Sequence, residues 1–436
     1  MLFEVARWVD GTKGARNDWW TKLSRSRNHL SALSLFSGAG GLDLGLEAAG
    51  FRPVLCVEVD SDSRQTLRRN RSGWPLSNPG DIHELEPRDL LRQARLKPGQ
   101  LSLLAGGPPC QPFSKSMYWS TGDAPRLRDP RARTLNAYLD VVEATVPRVL
   151  LLENVKGLAF EGKDEGLRLL ERGLRKINNR HSTSYVPQVI TINAANYGIP
   201  QIRERVFIVA SVDGRRIELP EATHGRGASK EPFLTAWDAI GELDVDSWPP
   251  ELEASGRWAR LLPSIPEGQN YLWHTPRNTG NGGEPLFGWR TRFWSFLLKL
   301  AKAQPSWTIQ ADPGPATGPF HWKSRLLSVE ELARLQTFPR GYTIVGSRRS
   351  AHRQIGNAVP SAIGELLGLE VRRQLFGDRV RRNLRLLPER RSDCPPAERV
   401  ARVPQEYLKL RAHHREHPGT GLGPSARLRD LSESRA

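Results

Sequence analysis

A cysteine in a proline-rich loop carries the clearest chemical signature in this chain of 436 residues. Residues 106–114 read GGPPCQPFS and directly follow a leucine-rich run that predicts a β-strand. Structural cysteines usually lie inside secondary-structure elements, whereas ligands of α/β proteins bind at the carboxyl ends of strands. We therefore interpret Cys110 as a nucleophile.

An acidic residue one structural unit later offers a partner for this thiol. The next predicted strand, Val149 to Leu152, ends in Glu153. The separation from Cys110 fits one helical crossover between neighbouring parallel strands, so both side chains would reach the same crevice. Glu153 is thus a candidate acid acting on the substrate that Cys110 attacks.

A pair of arginines follows in the polar stretch Gln201 to Arg205, between two further predicted strands. Alternate residues of an extended chain point the same way, so Arg203 and Arg205 would project from one side. One interpretation is an arginine fork that grips a carbonyl oxygen and Glu153. A surface ladder of salt bridges is the alternative.

The glycine-rich residues 36–42, with the sequence FSGAGGL, connect a predicted strand to a helix-like stretch. Such a loop lets the backbone approach a ligand, and the helix N-terminus offers free N–H groups. Asp43 occupies the third glycine position of the dinucleotide fingerprint, which therefore fails. Glu58 follows the next strand and is placed to bind ribose hydroxyls, and the turn Asn78 to Ile82 would close the adenine side. Simple structural turns remain the alternative.

The elements that must position these residues are predicted from short apolar runs bounded by Gly, Pro, Asn and Asp. These runs alternate with helical stretches such as Thr134 to Ala144, which is the pattern of a doubly wound α/β sheet. The last two strands are close enough in sequence to form an antiparallel hairpin. The six predicted strands are Leu33–Phe36, Pro53–Val57, Leu101–Ala105, Val149–Leu152, Val186–Ile192 and Val206–Ala210.

The amino-acid composition of the sequence changes after about residue 214. Eight of the 13 tryptophans lie from Trp237 to Trp322 among Gly and Pro, which predicts a smaller irregular domain. Order returns at Ser328, where Glu331 completes a capping box. We expect four regions: an N-terminal extension at 1–30, a discontinuous catalytic domain at 31–214 and 325–377, an irregular domain at 215–324, and a basic, disordered tail at 378–436.

The net charge of +17 favours a polyanionic partner, because neutralising phosphates releases counterions. The tail contributes 13 Arg and 1 Lys against 8 acidic residues, so most of the excess lies on the body. The three cysteines are far apart, which disfavours a disulfide framework or a zinc site and suits a reducing compartment. No apolar run is long enough to predict a membrane span or a secretion signal.

The order of these motifs resembles that of the DNA cytosine-5 methyltransferases. The resemblance covers residues from about 33 to 212 and from 325 to 364, and it omits both ends and the middle. The matching segments are FSGAGG at 36–41, EVD at 58–60, GGPPCQPFS at 106–114, ENV at 153–155, QIRER at 201–205, RLQTFP at 334–339 and GNAVP at 356–360.

This resemblance implies a Rossmann-like sheet that binds S-adenosylmethionine, together with a target-recognition domain at 215–324. It implies that Cys110 bonds covalently to C6 of a flipped-out cytosine, that Glu153 contacts the N3 edge, and that Arg203 and Arg205 support the base and Glu153. It also implies a cofactor pocket and no metal ion. The implied pocket residues are Phe36, Gly38, Gly40, Gly41, Leu42, Glu58, Val59, Asp81, Ile82, Gly107, Pro109, Leu135, Asn357 and Val359.

The resemblance further implies a sequence-specific enzyme that acts on double-stranded DNA. We expect a prokaryotic or viral modification enzyme, cytoplasmic and associated with the nucleoid, monomeric on DNA and paired with a cognate restriction endonuclease. Three alternatives remain open: a tRNA-methylating enzyme with the same fold, a non-catalytic DNA-binding regulator, and a nucleotide-dependent oxidoreductase. The failed third glycine disfavours the last, and an intact Cys110, Glu153 and Arg205 disfavour the regulator.

Overall fold

A six-stranded mixed sheet forms the centre of the protein, as seen in a computed structural model that describes residues 30–108, 133–154, 165–287 and 294–411. The strand order is β2-β1-β3-β4-β7-β5. The first four strands of the chain are parallel, whereas β7 runs antiparallel to both β4 and β5. The strands are β1 Leu30–Leu35, β2 Phe51–Val57, β3 Leu103–Gly106, β4 Val149–Asn154, β5 Gln188–Asn193, β6 Gln201–Ile202, β7 Glu204–Ser211 and β8 Ser306–Trp307.

Helices cover both faces of this sheet, which is why its strands are apolar on both sides. Alternate residues of a strand enter opposite cores: Leu33 and Leu104 face one, and Ala32 and Leu103 face the other. The helices are α1 Gly41–Ala48, α2 Ser61–Asn70, α3 Pro87–Ala94, α4 Arg133–Thr145, α5 Glu165–His181, α6 Ala236–Ile240, α7 Val329–Leu335, α8 Arg348–Asn357, α9 Ser361–Val371 and α10 Gln405–Leu408. The predicted α/β class and the predicted antiparallel hairpin strand are confirmed.

Helices α1 and α9, from opposite ends of the catalytic region, pack with their backbones in contact. A Cβ atom at Gly45 would lie 2.1 Å from the carbonyl oxygen of Ser361, and one at Gly364 would lie 2.6 Å from the carbonyl oxygen of Leu42. Only glycine permits this approach. The helix that follows the late GNAVP motif is thereby joined directly to the helix that follows the early glycine-rich loop.

The polar stretch before β7 differs from the turn that the sequence predicts. Gln201 and Ile202 form strand β6, which pairs in parallel with Ser306 and Trp307 of β8 in a separate two-stranded sheet. The predicted turn is therefore wrong here, because pairing with a strand about a hundred residues away extends the chain. At Ser328, by contrast, the predicted capping box is present at the start of α7.

The irregular middle region is divided between two cores. Trp237 and Trp322 pack with Leu44 and Leu332 of the catalytic region. A separate cluster, here called the aromatic core, consists of Leu261, Leu262, Ile265, Tyr271, Leu286, Phe287, Leu297, Phe320 and Tyr407. The independently packed part is thus smaller than 215–324, and it includes a residue from the chain's C-terminal region.

Residues 378–411 lie along the body of the protein, and the expectation of disorder does not describe them. Backbone N–H groups of Arg385 and Leu386 donate to the Glu365 carboxylate at 2.9 and 3.0 Å, and Tyr407 is buried. Apolar residues spaced singly among charges provide these contacts, which periodicity does not reveal. Within the described ranges, no helix is both long and apolar enough to traverse a lipid bilayer.

Candidate active site

A cavity of about 490 Å³ opens at the carboxyl ends of β1 to β4. Parallel strands direct the loops that follow them to one edge, so segments distant in sequence meet there. Most of the described residues that the motifs single out share its wall. They are Phe36, Gly38, Gly41, Leu42, Glu58, Val59, Asp81, Ile82, Gly107, Glu153, Arg205, Asn357 and Val359.

The glycine-rich loop forms one wall with its backbone exposed. Gly38 has a φ of +54°, and a Cβ atom there would have no neighbour within 4 Å, so this position faces open space. At Gly41 a Cβ atom would lie 2.3 Å from the carbonyl oxygen of Val359. The first and last motifs of the chain therefore touch through their backbones at this cavity.

Glu58 joins this loop to the end of β2. The backbone N–H groups of Gly38 and Asp60 donate to its two carboxylate oxygens at 2.6 and 2.8 Å. Burial raises the pKa of Glu58, while these backbone hydrogen bonds act in the opposite direction. Arg64 donates to the carbonyl oxygens of Glu58 and Ser77 at 2.9 Å, which ties the Asp81 loop to the same wall.

Glu153 and Arg205 form the charged pair of the site. Arg205 Nε lies 3.0 Å from Glu153 Oε1, and their side chains are 15 % and 13 % exposed. Burial raises the pKa of Glu153, and the nearby positive charges of Arg205 and Arg203 oppose that rise. A Cβ atom at Gly107 would lie 3.2 Å from Glu153 Oε2, so the segment that leads towards Cys110 begins beside this carboxyl group.

Arg203 has a different environment from Arg205, although the sequence suggests that the two could form one fork. Its side chain is fully buried. Its guanidinium donates to the carbonyl oxygens of Ile309, Gly356 and Ala358 at 3.1, 2.7 and 3.0 Å. Arg203 thus holds the backbone at the end of α8, and its positive charge also acts on the pKa of Glu153.

Two predicted pocket residues lie behind the cavity wall. Gly40 has a φ of +81° and starts α1, and a Cβ atom there would lie 2.8 Å from Leu67 Cδ2. Leu135 is buried in the core on α4, although its neighbour Thr134 reaches the cavity. Pro109 and Cys110 lie outside the described residues.

Asp43 and Arg353 also line this cavity, although the motifs assign neither of them to it. Asp43 is 2 % exposed, and burial raises its pKa from 3.8 to about 7. The sequence pattern uses this residue only as evidence against a dinucleotide fingerprint. Arg353 donates to Asp60 Oδ2 at 2.9 Å, which links α8 to the start of α2. Its position three residues before Gly356 of the late motif, within one helical turn, is the signal that could have indicated it.

Comparison with known proteins shows which family this chain resembles. The family model described as C-5 cytosine-specific DNA methylase matches residues 30–373. The chain is 38% identical over 379 residues to the Type II methyltransferase M.SacI of Streptomyces achromogenes, covering 80% of this chain and 94% of that protein. It is 33% identical over 346 residues to the Type II methyltransferase M.NgoFVII of Neisseria gonorrhoeae, covering 78% and 86%.

Solved structures support the fold at lower sequence identity. A DNMT2 mutant from Spodoptera frugiperda aligns with a TM-score of 0.54 at 16% identity, covering 78% of this chain and 99% of that one. The methyltransferase EhMeth of Entamoeba histolytica aligns with a TM-score of 0.53 at 14% identity, covering 80% and 99%. With a family model that spans most of its length and relatives above 30% identity, this chain belongs to the C-5 cytosine-specific DNA methylases.

Proposed function

We propose that this protein transfers a methyl group from S-adenosylmethionine to C5 of a flipped-out cytosine in double-stranded DNA, through a covalent bond between Cys110 and C6. Its biological role would be the modification half of a prokaryotic or viral restriction–modification pair. The observation that carries the proposal is the buried Glu153–Arg205 pair beside Gly107, at the cavity of a chain from this family.

The cavity suits the proposed cofactor in size and in chemistry. Its volume of about 490 Å³ lies in the range of small-molecule sites. The open backbone at Gly38 and the N-terminus of α1 suit a carboxylate, and Glu58 suits ribose hydroxyls. When bound, S-adenosylmethionine supplies a methyl group activated by a positively charged sulfur. The other wall residues named above would complete its binding site.

The protein's own residues would make cytosine reactive. The Cys110 thiolate adds to C6 of the base, and the electron pair of the C5–C6 double bond moves towards C5 and N3. Glu153, whose pKa burial raises, donates a hydrogen bond or a proton at N3. Arg205 holds the glutamate carboxyl group in position. Loss of the C5 proton after transfer restores the double bond and expels the Cys110 thiolate.

Two arguments support DNA as the substrate: how the target base becomes accessible, and the net charge of the protein. C5 and C6 are inaccessible inside a stacked duplex, so the base has to leave the helix to meet Glu153. The net charge of +17 favours contact with the phosphate backbone. The middle region, which contains the aromatic core, would recognise the DNA target sequence. The protein would act as a monomer in the cytoplasm. Type II methyltransferase relatives support a cognate endonuclease.

Transfer of tritium from labelled S-adenosylmethionine tests the reaction. The wild-type protein should label unmethylated mixed-sequence DNA at acid-stable cytosine C5, and Cys110→Ala should give background counts. A tRNA substrate run in parallel should stay unlabelled. Label in tRNA alone, or no label in either nucleic acid, would reject DNA methylation as the function.

The covalent step has a separate test. DNA that carries 5-fluorocytosine has no C5 proton to lose, so the bond between Cys110 and C6 should persist after methyl transfer. Wild-type protein should form a complex with this DNA that resists heating in detergent, whereas Cys110→Ser should not. If the serine variant forms the same complex, the nucleophile lies elsewhere.

A further inference from the structure

The C-terminal segment, residues 378–411, has no counterpart in the family match, which ends at residue 373. Apart from the short helix α10, it has no regular secondary structure. Its first residues contact the core on one face of the central sheet, and its last residues contact the aromatic core. A segment of this kind can control how the two cores are placed relative to each other.

The start of the segment is fixed to α9. Glu365, which is fully buried, accepts hydrogen bonds from the backbone N–H groups of Arg385 and Leu386. Leu384 and Leu387 pack against the core behind the cavity. Because a buried carboxylate needs its hydrogen-bond partners, this attachment is costly to release.

The middle of the segment crosses the short helix α6. Asp393 accepts a hydrogen bond from the indole nitrogen of Trp237 at 3.1 Å. The backbone N–H group of Arg391 donates to Asp238 at 2.7 Å. Trp237 belongs to the cluster that packs against Leu44 of α1, so this crossing is still anchored to the catalytic region.

A buried lysine then connects the segment to the region around the aromatic core. The Lys302 ammonium lies 2.6 Å from a carboxylate oxygen of Glu267 and 2.7 Å from one of Glu398. Lys302 is 2 % exposed, whereas Glu398 is partly exposed. The backbone N–H group of Glu398 also donates to Glu267 at 2.8 Å, so chain and side chain are both held.

The end of the segment is part of the aromatic core itself. Tyr407 stacks on Trp258 with ring centroids 5.9 Å apart and an interplanar angle of 18°. Its hydroxyl group donates to the carbonyl oxygen of Arg257 at 2.7 Å. Val403 and Leu408 pack against the same cluster. Burial of an aromatic ring dominates the energetics of such contacts.

We propose that the C-terminal segment positions the aromatic core relative to the catalytic cavity, with Asp393, Glu398 and Tyr407 as its positioning residues. Interfaces between units of one chain are usually small and permit relative motion, which a tether bound at both ends restricts. The inference rests on the proposed function, because a DNA duplex would have to contact both units at once. Loss of the tether should weaken productive DNA binding and leave cofactor binding unchanged.

Steady-state kinetics of full-length variants test this role. Asp393→Asn combined with Glu398→Ala, and separately Tyr407→Ala, should raise KM for DNA by about tenfold or more because misplacement of a binding unit is costly. The dissociation constant for S-adenosylmethionine should not change. Tyr407→Phe keeps the aromatic ring, so its KM for DNA should stay close to the wild-type value. Glu389→Gln, at an exposed position of the same segment, is the matched control.

A distance measurement tests the same idea without activity. Fluorophores are placed on non-natural amino acids at two exposed positions, Arg92 of α3 and Ser255, which follows Ala254 at the periphery of the aromatic core. They should report one narrow distance in wild type and a broader distribution in the two disruptive variants. Wild-type distances together with a wild-type KM in those variants would overturn the inference. If the wild type methylates no DNA, the proposed function fails, and the distance distribution still decides whether the segment tethers the two units.

Discussion

Glu153 shows how burial and neighbouring positive charges together set the pKa of one side chain. Desolvation raises its pKa, which favours the protonated form that a donor to cytosine N3 requires. Arg205, 3.0 Å away, restrains the carboxyl group and limits that rise. A raised pKa makes this carboxyl group a better proton donor than an exposed glutamate at the same pH.

Replacing Glu153 with glutamine keeps the shape of the side chain and removes its acidity. We expect Glu153→Gln to lower the single-turnover methylation rate by about a hundredfold or more, the usual size of a general acid contribution. Cofactor affinity should change little. Glu143→Gln, on the outer side of α4 in an exposed ion pair, is the control. A rate within twofold of wild type for Glu153→Gln would exclude the acid role.

Asp43 predicts a pH dependence of stability. Its pKa rises from 3.8 to about 7 in the folded protein, so the folded state holds the proton more tightly than the unfolded state. The free energy of unfolding should therefore fall as the pH rises from about 4 to about 7, and this penalty should be constant above pH 7.

The isosteric change Asp43→Asn removes that ionisation. In thermal unfolding without ligand, the gain in melting temperature over wild type should be smallest near pH 4, should grow up to about pH 7 and should then level off. A gain that is the same at every pH would contradict burial of the charge as the cause. Glu221→Gln, at an exposed position, serves as the reference.

At the scale of elements, the site depends on joints between segments that are far apart in the chain. Arg203, next to β6 and β7, binds the carbonyl oxygens at the end of α8. Gly41 at the start of α1 touches Val359 before α9. Each joint places a late motif against an early one, so the cavity wall is complete only when both are formed.

Arg203→Met should show how much such a joint contributes to stability and to cofactor binding. It removes hydrogen bonds from a charged donor to buried carbonyl groups, so we expect the free energy of unfolding to fall by about 1.5–3 kcal/mol. Cofactor affinity should fall as well, because Asn357 and Val359 lose their support. Urea denaturation and equilibrium binding measure the two effects. Unchanged stability would mean that the joint forms without this guanidinium.

On the scale of the whole molecule, charge and tethering act together. The net positive charge of +17 is distributed over the body and the C-terminal segment. This charge attracts the protein to polyanions. In our proposal, specific placement on DNA then depends on how the C-terminal segment holds the aromatic core relative to the cavity. Long-range electrostatic attraction and the short-range tether would thus act at different steps of DNA binding.

The charge makes DNA affinity strongly dependent on salt. With six to ten phosphate contacts, the affinity should fall by about 10³ to 10⁵ between 50 and 200 mM monovalent salt. Fluorescence anisotropy with a labelled duplex measures the slope. Affinity for S-adenosylmethionine over the same range is the control and should stay nearly constant. A flat response for DNA would mean that the basic residues do not face the duplex.

Local patterns in the amino-acid sequence are enough to specify the class of the sheet and the gathering of its motifs at one edge. Short apolar runs specify strands locally, and parallel strands joined by helices must send their carboxyl ends to the same side. For that reason Glu58 and Glu153, each of which the sequence places directly after a strand, both line the cavity. The capping box at Ser328 is equally local, since its two partners are three residues apart.

Features that depend on distant partners emerge only from the tertiary structure. Arg203 and Arg205 look equivalent in sequence, but one meets Gly356 and the other meets Glu153. Residues 378–411 look disordered because their apolar side chains are sparse, yet Glu365 and the aromatic core give them binding sites. Such contacts depend on surfaces that exist only after the chain has folded, and no local pattern encodes them.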